Sequence, residues 1–417
     1  MSSQEKYPLD SEAALKRLKD VIKRTPLIFN AGLSEKYQCE VYLKREDLQI
    51  VRSYKLRGAY NMISQLEPEK LAKGVVCASA GNHAQGFAYS CKKLHTRGVI
   101  FMPEFTPKQK ITQTKMFGNG MVEIILVGDT FDDCLKEALS YADKNDMKFI
   151  PPFDDLRVIE GQGTVGVEIL EDLPEVDTVI MPVGGGGLSA GVGYYLKSKH
   201  PNIQLIGTEP EGAPSMYQAL KAGHPVNLEQ INRFVDGAAV KKAGEVTFPI
   251  CRQVLDDMLL IPEGKICTTI LKLYNEDAIV AEPAGALAVA ALDLCSSEQL
   301  KGKKVVCILS GGNNDIERMQ EIKELSLLYE GLKHYFLIRF PQRPGALKLF
   351  VNNVLGPEDD ITRFEFIKKS QKESGPALVG IELKSAGDYE SLVSRLKEYH
   401  FEYKEINNDQ TLFEYLV

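Results

Sequence analysis

A lysine set between a strand-like run and a helical one, in "RSYKLRGAYN" (residues 52–61), is the first candidate for chemistry: Lys55 carries a primary amine. An amine becomes nucleophilic where a dry site or neighbouring cations destabilise its ammonium form, and Arg57 is expected to supply part of that field. The alternative is one more solvated charge among 50 Lys and Arg. Three further stretches end a strand-like run in small residues and open a helix or loop. "PVGGGGLSAGVGYYLKS" (182–198) offers consecutive glycine N–H groups, Gly184, Gly185, Gly186 and Gly187, at a helix start, an arrangement suited to a phosphate. The same stretch admits a dinucleotide reading, because Gly185, Gly187 and Ala190 fit G-x-G-x-x-A and Glu209 ends the next strand as a ribose-binding acid would. "ASAGNHAQGFAYS" (78–90) presents Ser79, Gly81, Asn82 and His83 at a second helix start, an anion site suited to a carboxylate, with His83 read as part of the turn and cap rather than as a base. "ILSGGNND" (308–315) ends in Ser310, either a helix-capping hydroxyl or a partner for a ring nitrogen.

These residues need a scaffold that brings strand ends together. From about residue 70 to 330, β-branched runs such as "KGVVCASA", "TRGVIFMP", "GMVEIILVG", "VDTVIMPVG", "IQLIGTEP" and "KKVVCILSGG" alternate with segments of helical spacing such as "NHAQGFAYSCKKL" and "TFDDCLKEALSYADK". The alternation predicts parallel strands with crossover helices, an α/β fold whose ligands sit at strand ends. After residue 331 the order becomes "HYFLIRF", helical "GALKLFVNNVL", "ITRFEFIKK", "PALVGIELK", helical "DYESLVSRLKEYH" and a last "TLFEYLV". That is β-α-β-β-α-β, the ferredoxin-like order. The expected division is therefore 1–330 and 331–417, with "NNDIERMQEIKELSLLYEG" closing the larger unit and Gly331 as its stop signal.

A net charge of −7 without a basic run argues against nucleic-acid binding. The apolar runs are too short to span a bilayer, and "MSSQEKYPLD" lacks the features of an export signal, so a cytoplasmic protein is expected. Cys39, Cys77, Cys91, Cys134, Cys251, Cys267, Cys295 and Cys307 form no C-x-x-C pair and are read as reduced core residues, with neither disulfides nor a zinc site.

The joint order of "SYKLRGA", "SAGNHAQG", "GGGGL", "EPAGA" and "SGGNND" resembles the threonine/serine dehydratases of the fold-type II pyridoxal-phosphate enzymes, from about residue 5 to 330. The resemblance implies a tryptophan synthase β-like catalytic unit of two layers that uses pyridoxal 5'-phosphate. It makes Lys55 the Schiff-base lysine and general base. Asn82 would bond the ring oxygen, Gly184 to Gly187 with Leu188 would hold the phosphate, and Ser310 would face the pyridine nitrogen. Ser79, Gly81, Asn82 and His83 would receive the substrate carboxylate, and Glu282 of "EPAGA" matches an acid near the cofactor. The dinucleotide reading leaves Lys55 and Ser310 idle.

The implied reaction is dehydration and deamination of L-threonine, or of L-serine, to a 2-oxo acid and ammonia, with the cofactor as electron sink and its phosphate as proton donor to the leaving hydroxyl. A neutral Ser310 leaves charge at Cα, which favours expulsion of the β-substituent over transamination. Serine racemases resemble the chain but carry a serine where Ala80 stands, so elimination is expected to dominate. Their cation site near "TEPEGAPS" has Ser215 in place of an acid, and Glu209 is read as structural; no metal ligand set is assigned. The C-terminal part, with "RFPQRPGALKLF", resembles the ACT-like regulatory domain of biosynthetic threonine dehydratases. It implies isoleucine as inhibitor with valine opposing it, "QRPGAL" in the effector or pairing region, and a homotetramer, with a dimer as the alternative. Rival classes are a β-replacing enzyme such as cysteine synthase or threonine synthase, and a non-catalytic amino-acid sensor.

Overall fold

A computed structural model describes residues 7–366, 368 and 373–417. It contains strands β1 (Leu27–Phe29), β2 (Glu40–Arg45), β3 (Val75–Ala78), β4 (Gly98–Met102), β5 (Val122–Leu126), β6 (Lys148–Phe149), β7 (Thr178–Pro182), β8 (Gln204–Pro210), β9 (Asp257–Ile261), β10 (Lys304–Leu309), β11 (Lys333–Pro341), β12 (Asp360–Phe366), β13 (Ser374–Glu382) and β14 (Glu402–Glu405). The larger sheet has the order β1-β2-β10-β7-β8-β9 and the smaller β5-β4-β3-β6. Every pairing in these two sheets is parallel except β1 with β2. Strands covered on both faces need continuous apolar runs, and "VVCA", "GVIFM" and "TVIMP" are buried at every position.

Helices Leu156–Asp172 and Gly187–Lys199 pack on the larger sheet through Ile159, Val165, Leu188 and Val192. Their axes approach closely where Gly191 faces Gly163: a side chain at 191 would run into the Ile159 carbonyl. The smaller sheet is covered on one face by Phe87, Ala88 and Cys91 of helix Asn82–Leu94 and on the other by Cys134, Ala138 and Ala142 of helix Phe131–Lys144.

The compact units are Met1–Asp315 and Ile316–Val417, a division earlier than the expected 330/331. Helix Met319–Tyr329 belongs to the second unit because it packs there: Leu328 lies against Tyr335, Leu378 and Ile406, and Glu324 accepts from the Tyr335 hydroxyl at 2.5 Å. Gly331, at φ +66°, follows that helix. The second sheet has the order β12-β13-β11-β14, all antiparallel, the ferredoxin-like arrangement.

Its fourth strand is not the expected "TLFEYLV". Strand β14 is the polar "EYKE", and Gln410–Leu416 is a helix capped by Asp409, which accepts from Leu412 N–H at 3.1 Å. Leu412, Phe413 and Leu416 share one helical face and pack on the outer side of the sheet with Leu328. The expected strand "ITRFEFIKK" is described through Phe366 as β12, and its positions 367 and 369 lie outside the described residues. Among the described residues no helix is long and apolar enough to cross a membrane.

Candidate active site

Lys55 opens helix Lys55–Ile63, and the chain just before it is fixed to the end of β10. Tyr54 N–H donates to the Ser310 carbonyl at 3.2 Å, Gly312 N–H donates to the Arg52 carbonyl at 2.9 Å, and Ser53 bridges Gly311. Arg52 accepts φ +58° in making that turn. Lys55 Nζ lies 3.4 Å from the Pro152 carbonyl and 5.2 Å from the centre of the Tyr54 ring. Helix Asn82–Leu94 abuts the same point at Gly86, where a Cβ would come within 2.9 Å of Leu56 N. "SYKLRGA", "SAGNHAQG" and "SGGNND" are therefore brought to one place.

The expected role of Arg57 does not hold. Its guanidinium is fully buried and forms bonds to Glu46 (2.8 and 2.8 Å) and to Glu168 (2.8 and 2.9 Å), with Thr164 Oγ1 at 3.1 Å. Lys44 joins Glu168 at 2.6 Å and donates to the Thr25 carbonyl at 2.7 Å. Two cations face two carboxylates, so the cluster presents no net charge to Lys55. The Glu46 and Glu168 carboxylates hold Arg57 above its ordinary range, and Arg57 with Lys44 holds Glu168 below its own despite burial. What the cluster does is anchor the Lys55 helix to β2 and to helix Leu156–Asp172.

In the second turn, Gly81 N–H donates to Ser79 Oγ at 3.2 Å. Asn82 is held at both ends of its amide: Nδ2 donates to Glu282 Oε1 at 2.6 Å, and Oδ1 accepts from Asn313 Nδ2 at 2.7 Å. Glu282 is thereby given a part that sequence left undefined, fixing the Asn82 amide. Burial pushes its pKa up to about 7. The His83 ring is turned away to the Ile150 carbonyl, 3.0 Å from Nε2, and burial with the charge of Lys55 pushes its pKa down to about 3. The neutral ring is no base at ordinary pH, and the part of His83 left at the helix start is its backbone N–H. Beyond Gly81 there is open space, since a Cβ there would meet nothing within 4 Å.

The glycine loop runs from β7 into helix Gly187–Lys199, with Gly186 at φ +92°. Side chains are excluded along it. At 185 and 187 a Cβ would strike Phe153, at 184 it would lie 3.0 Å from Ala238 Cα, and at 186 it would lie 2.9 Å from Thr247 Oγ1. Thr247 Oγ1 donates to the Gly185 carbonyl at 2.5 Å. Thr247 is itself set by Asp154, whose carboxylate accepts from the N–H groups of Glu245, Val246 and Thr247 at 3.0, 2.8 and 3.1 Å. The first intrahelical bond comes from Ala190 N–H to Gly186, which leaves Gly187, Leu188 and Ser189 N–H for an anion. Phe153, Asp154, Ala238 and Thr247 escaped sequence reading because nothing in "PPFDD" or "VDGAAVKKAGEVT" carries a spacing signal.

Glu209 does not serve a ribose. It is fully buried and accepts from Met216 and Tyr217 N–H at 2.8 Å each and from Ser215 Oγ at 3.3 Å, capping helix Ser215–Ala222, with its pKa pushed up to about 8 by burial. Ser310 caps no helix: its hydroxyl, 2% exposed, donates to the Ala284 carbonyl at 3.4 Å. Two buried oxygens of the same segments, Ser53 Oγ and Asn313 Oδ1, have no partner among the described residues. A primary amine, a side-chain-free N–H cradle, a fixed amide and a buried neutral hydroxyl together fit a group that carries an aldehyde, a phosphate, a ring oxygen and a ring nitrogen.

The comparisons with known proteins agree with that fit. Residues 18–311 match the model of the pyridoxal-phosphate-dependent enzymes, and residues 324–416 match that of the C-terminal regulatory domain of threonine dehydratase. The biosynthetic L-threonine dehydratase IlvA of Halalkalibacterium halodurans is 59% identical over 401 residues, 96% of this chain and 96% of that protein. The enzyme of the same name from Bacillus subtilis is 58% identical over 97% of this chain and 96% of its own length. Among solved structures, the processed threonine deaminase isoform 2 of Solanum lycopersicum matches with TM-score 0.71 and 42% identity, covering 76% of this chain and 94% of its own. Maize serine racemase matches with TM-score 0.71 and 30% identity over 76% of this chain and 97% of its own. By these matches over nearly its whole length, the chain belongs to the pyridoxal-phosphate-dependent enzymes, in the threonine dehydratase family.

Proposed function

We propose that this chain dehydrates and deaminates L-threonine to 2-oxobutanoate and ammonia, the step that opens isoleucine biosynthesis, under allosteric control by its C-terminal unit. The observation that carries the reading is the junction in which Lys55 is fixed to the Ser310 strand end, while Asn82 is held between Glu282 and Asn313. Pyridoxal phosphate supplies the electron sink for negative charge at the substrate Cα. Lys55 Nζ would hold the cofactor by its aldehyde, and the same amine would accept the substrate Cα proton. The N–H groups from Gly184 to Leu188 would hold the phosphate and Asn82 Nδ2 the ring oxygen. Ser310 Oγ would face the ring nitrogen as a neutral hydroxyl, a choice that favours expulsion of the β-hydroxyl over transamination. Ser79 Oγ with the N–H groups of Gly81, Asn82 and His83 receives the substrate carboxylate.

Ala80 offers no transferable proton on the opposite face, so racemisation stays minor. L-Serine, one methyl shorter, is a second substrate, because a methylene in a pocket is worth only about 1–3 kcal/mol. In the second unit we assign isoleucine as inhibitor and valine as its opponent, with a homotetramer as the assembly. The test is the absorbance spectrum of the purified protein followed by a 2-oxobutanoate assay with L-threonine. Lys55→Ala is expected to lose the bound-cofactor band and turnover together, and full activity in that variant would overturn the assignment. Removal of the second unit is expected to abolish the isoleucine response.

A further inference from the structure

Residues 223–246, between helices Ser215–Ala222 and Thr247–Val254, form neither helix nor strand. Irregular segments beyond about 12–15 residues in a compact fold usually have a task. Part of this one is built onto the glycine loop: Gly244 N–H donates to the Gly185 carbonyl at 3.4 Å, and Ala238 lies against Gly184. Gly237 sits beside Ala284, with the Glu282 carboxylate 3.7 Å from where its Cβ would be. Helices of the smaller sheet grip the same segment from the other side. Lys110, on helix Lys108–Gly118, pairs with Asp236 at 2.7 Å, and Asp132, on helix Phe131–Lys144, pairs with Lys241 at 3.6 Å. The helices follow β4 and β5 of one sheet and the segment follows β8 of the other, so the pairs tie the two sheets together beside Asn82 and the glycine loop.

We propose that Lys110 and Asp236 are positioning residues, whose ion pair holds residues 236–238 against Glu282 and Gly184 and so sets the phosphate loop and the Asn82 amide for their ligands. This rests on the reading of residues 184–188 as the phosphate seat. An exposed pair of this kind is worth a small factor, and both partners are part-exposed, at 26% and 43%.

The test is a double-mutant cycle on the full-length protein. In the cofactor-free form, amide hydrogen exchange across 232–243 is expected to quicken by about 2–5-fold in Lys110→Ala and in Asp236→Ala, with no further gain in the double variant. The reversed pair, Lys110→Asp with Asp236→Lys, restores protection, and about 1 M salt erases the differences. In the loaded enzyme the KM for L-threonine rises by a similar factor while kcat changes less. Single effects that add in the double variant, or a reversed pair as mobile as Lys110→Ala, would overturn the proposal. The exchange arm needs no cofactor, so it fails separately from the reading of the phosphate seat.

Discussion

Helix Lys55–Ile63 and strand β11 are each central to their unit, yet one is enclosed by ions and the other by rings. Around the helix, Arg57, Lys44, Glu46 and Glu168 are all buried and bond one another at 2.6–2.9 Å. Around the strand, Phe340 packs on Phe350, Phe364 and Phe401 with ring centroids 5.1–5.6 Å apart. Burying ions is costly and directional, whereas burying rings is favourable and tolerant of small shifts. The ion cluster therefore contributes geometry more than stability, and it anchors the helix that opens with Lys55, the amine proposed to react. The ring cluster contributes stability to a module that must hold together while an effector shifts its populations.

Three changes break or sharpen that contrast. Arg57→Met leaves two buried carboxylates facing one cation, and is expected to cost about 3–5 kcal/mol in denaturant unfolding and to remove turnover. Replacing Lys44, Glu46, Arg57 and Glu168 together by apolar residues should recover the stability without the turnover; recovery of both would show that the cluster positions nothing. Phe350→Ala is expected to cost about 3 kcal/mol in the second unit alone, seen as an earlier calorimetric transition. L-Threonine turnover persists in that variant and the isoleucine response is lost.

Glu282→Gln tests a buried acid directly. The Glu282 pKa is about 7 when folded and has its ordinary value near 4.5 when unfolded, so the folded state holds the extra proton. That proton's contribution to stability is complete below pH 4.5 and declines as pH rises to about 7, by roughly 3 kcal/mol in the limit. The glutamine variant is expected to flatten the fall in melting temperature across that window, with the cofactor-free protein as the sample. Gly185→Ala drives a methyl into the Phe153 ring, for an expected loss of about 1–3 kcal/mol in stability and weaker cofactor retention on dialysis.

Three of the four stretches drew notice because each ends an apolar run in small residues before a helix or loop, and the resemblance carried by their joint order favoured pyridoxal phosphate over a dinucleotide. What the spacing hid is tertiary. The carboxylates of Glu46 and Glu168 lie 11 and 111 residues from Arg57 along the chain, so "KLR" looked like a source of positive field when it is neutralised. The Asp154 carboxylate and the Thr247 hydroxyl bond to backbone groups, which any sequence could offer. "EYKE" was passed over because an edge strand with a wet face carries few apolar residues, while "TLFEYLV" read as a strand until Asp409 is recognised as its cap. The division of units moved for a similar reason: Gly331 does end a helix, but Leu328 and Glu324 pack that helix onto the unit that follows.

The most direct measurement is borohydride reduction of the protein saturated with pyridoxal phosphate, followed by mass mapping of its peptides. The account predicts one stable pyridoxyl mass on the peptide that holds Lys55 and its loss when L-threonine is present before reduction. A tag on a different lysine, or none at all, would contradict it.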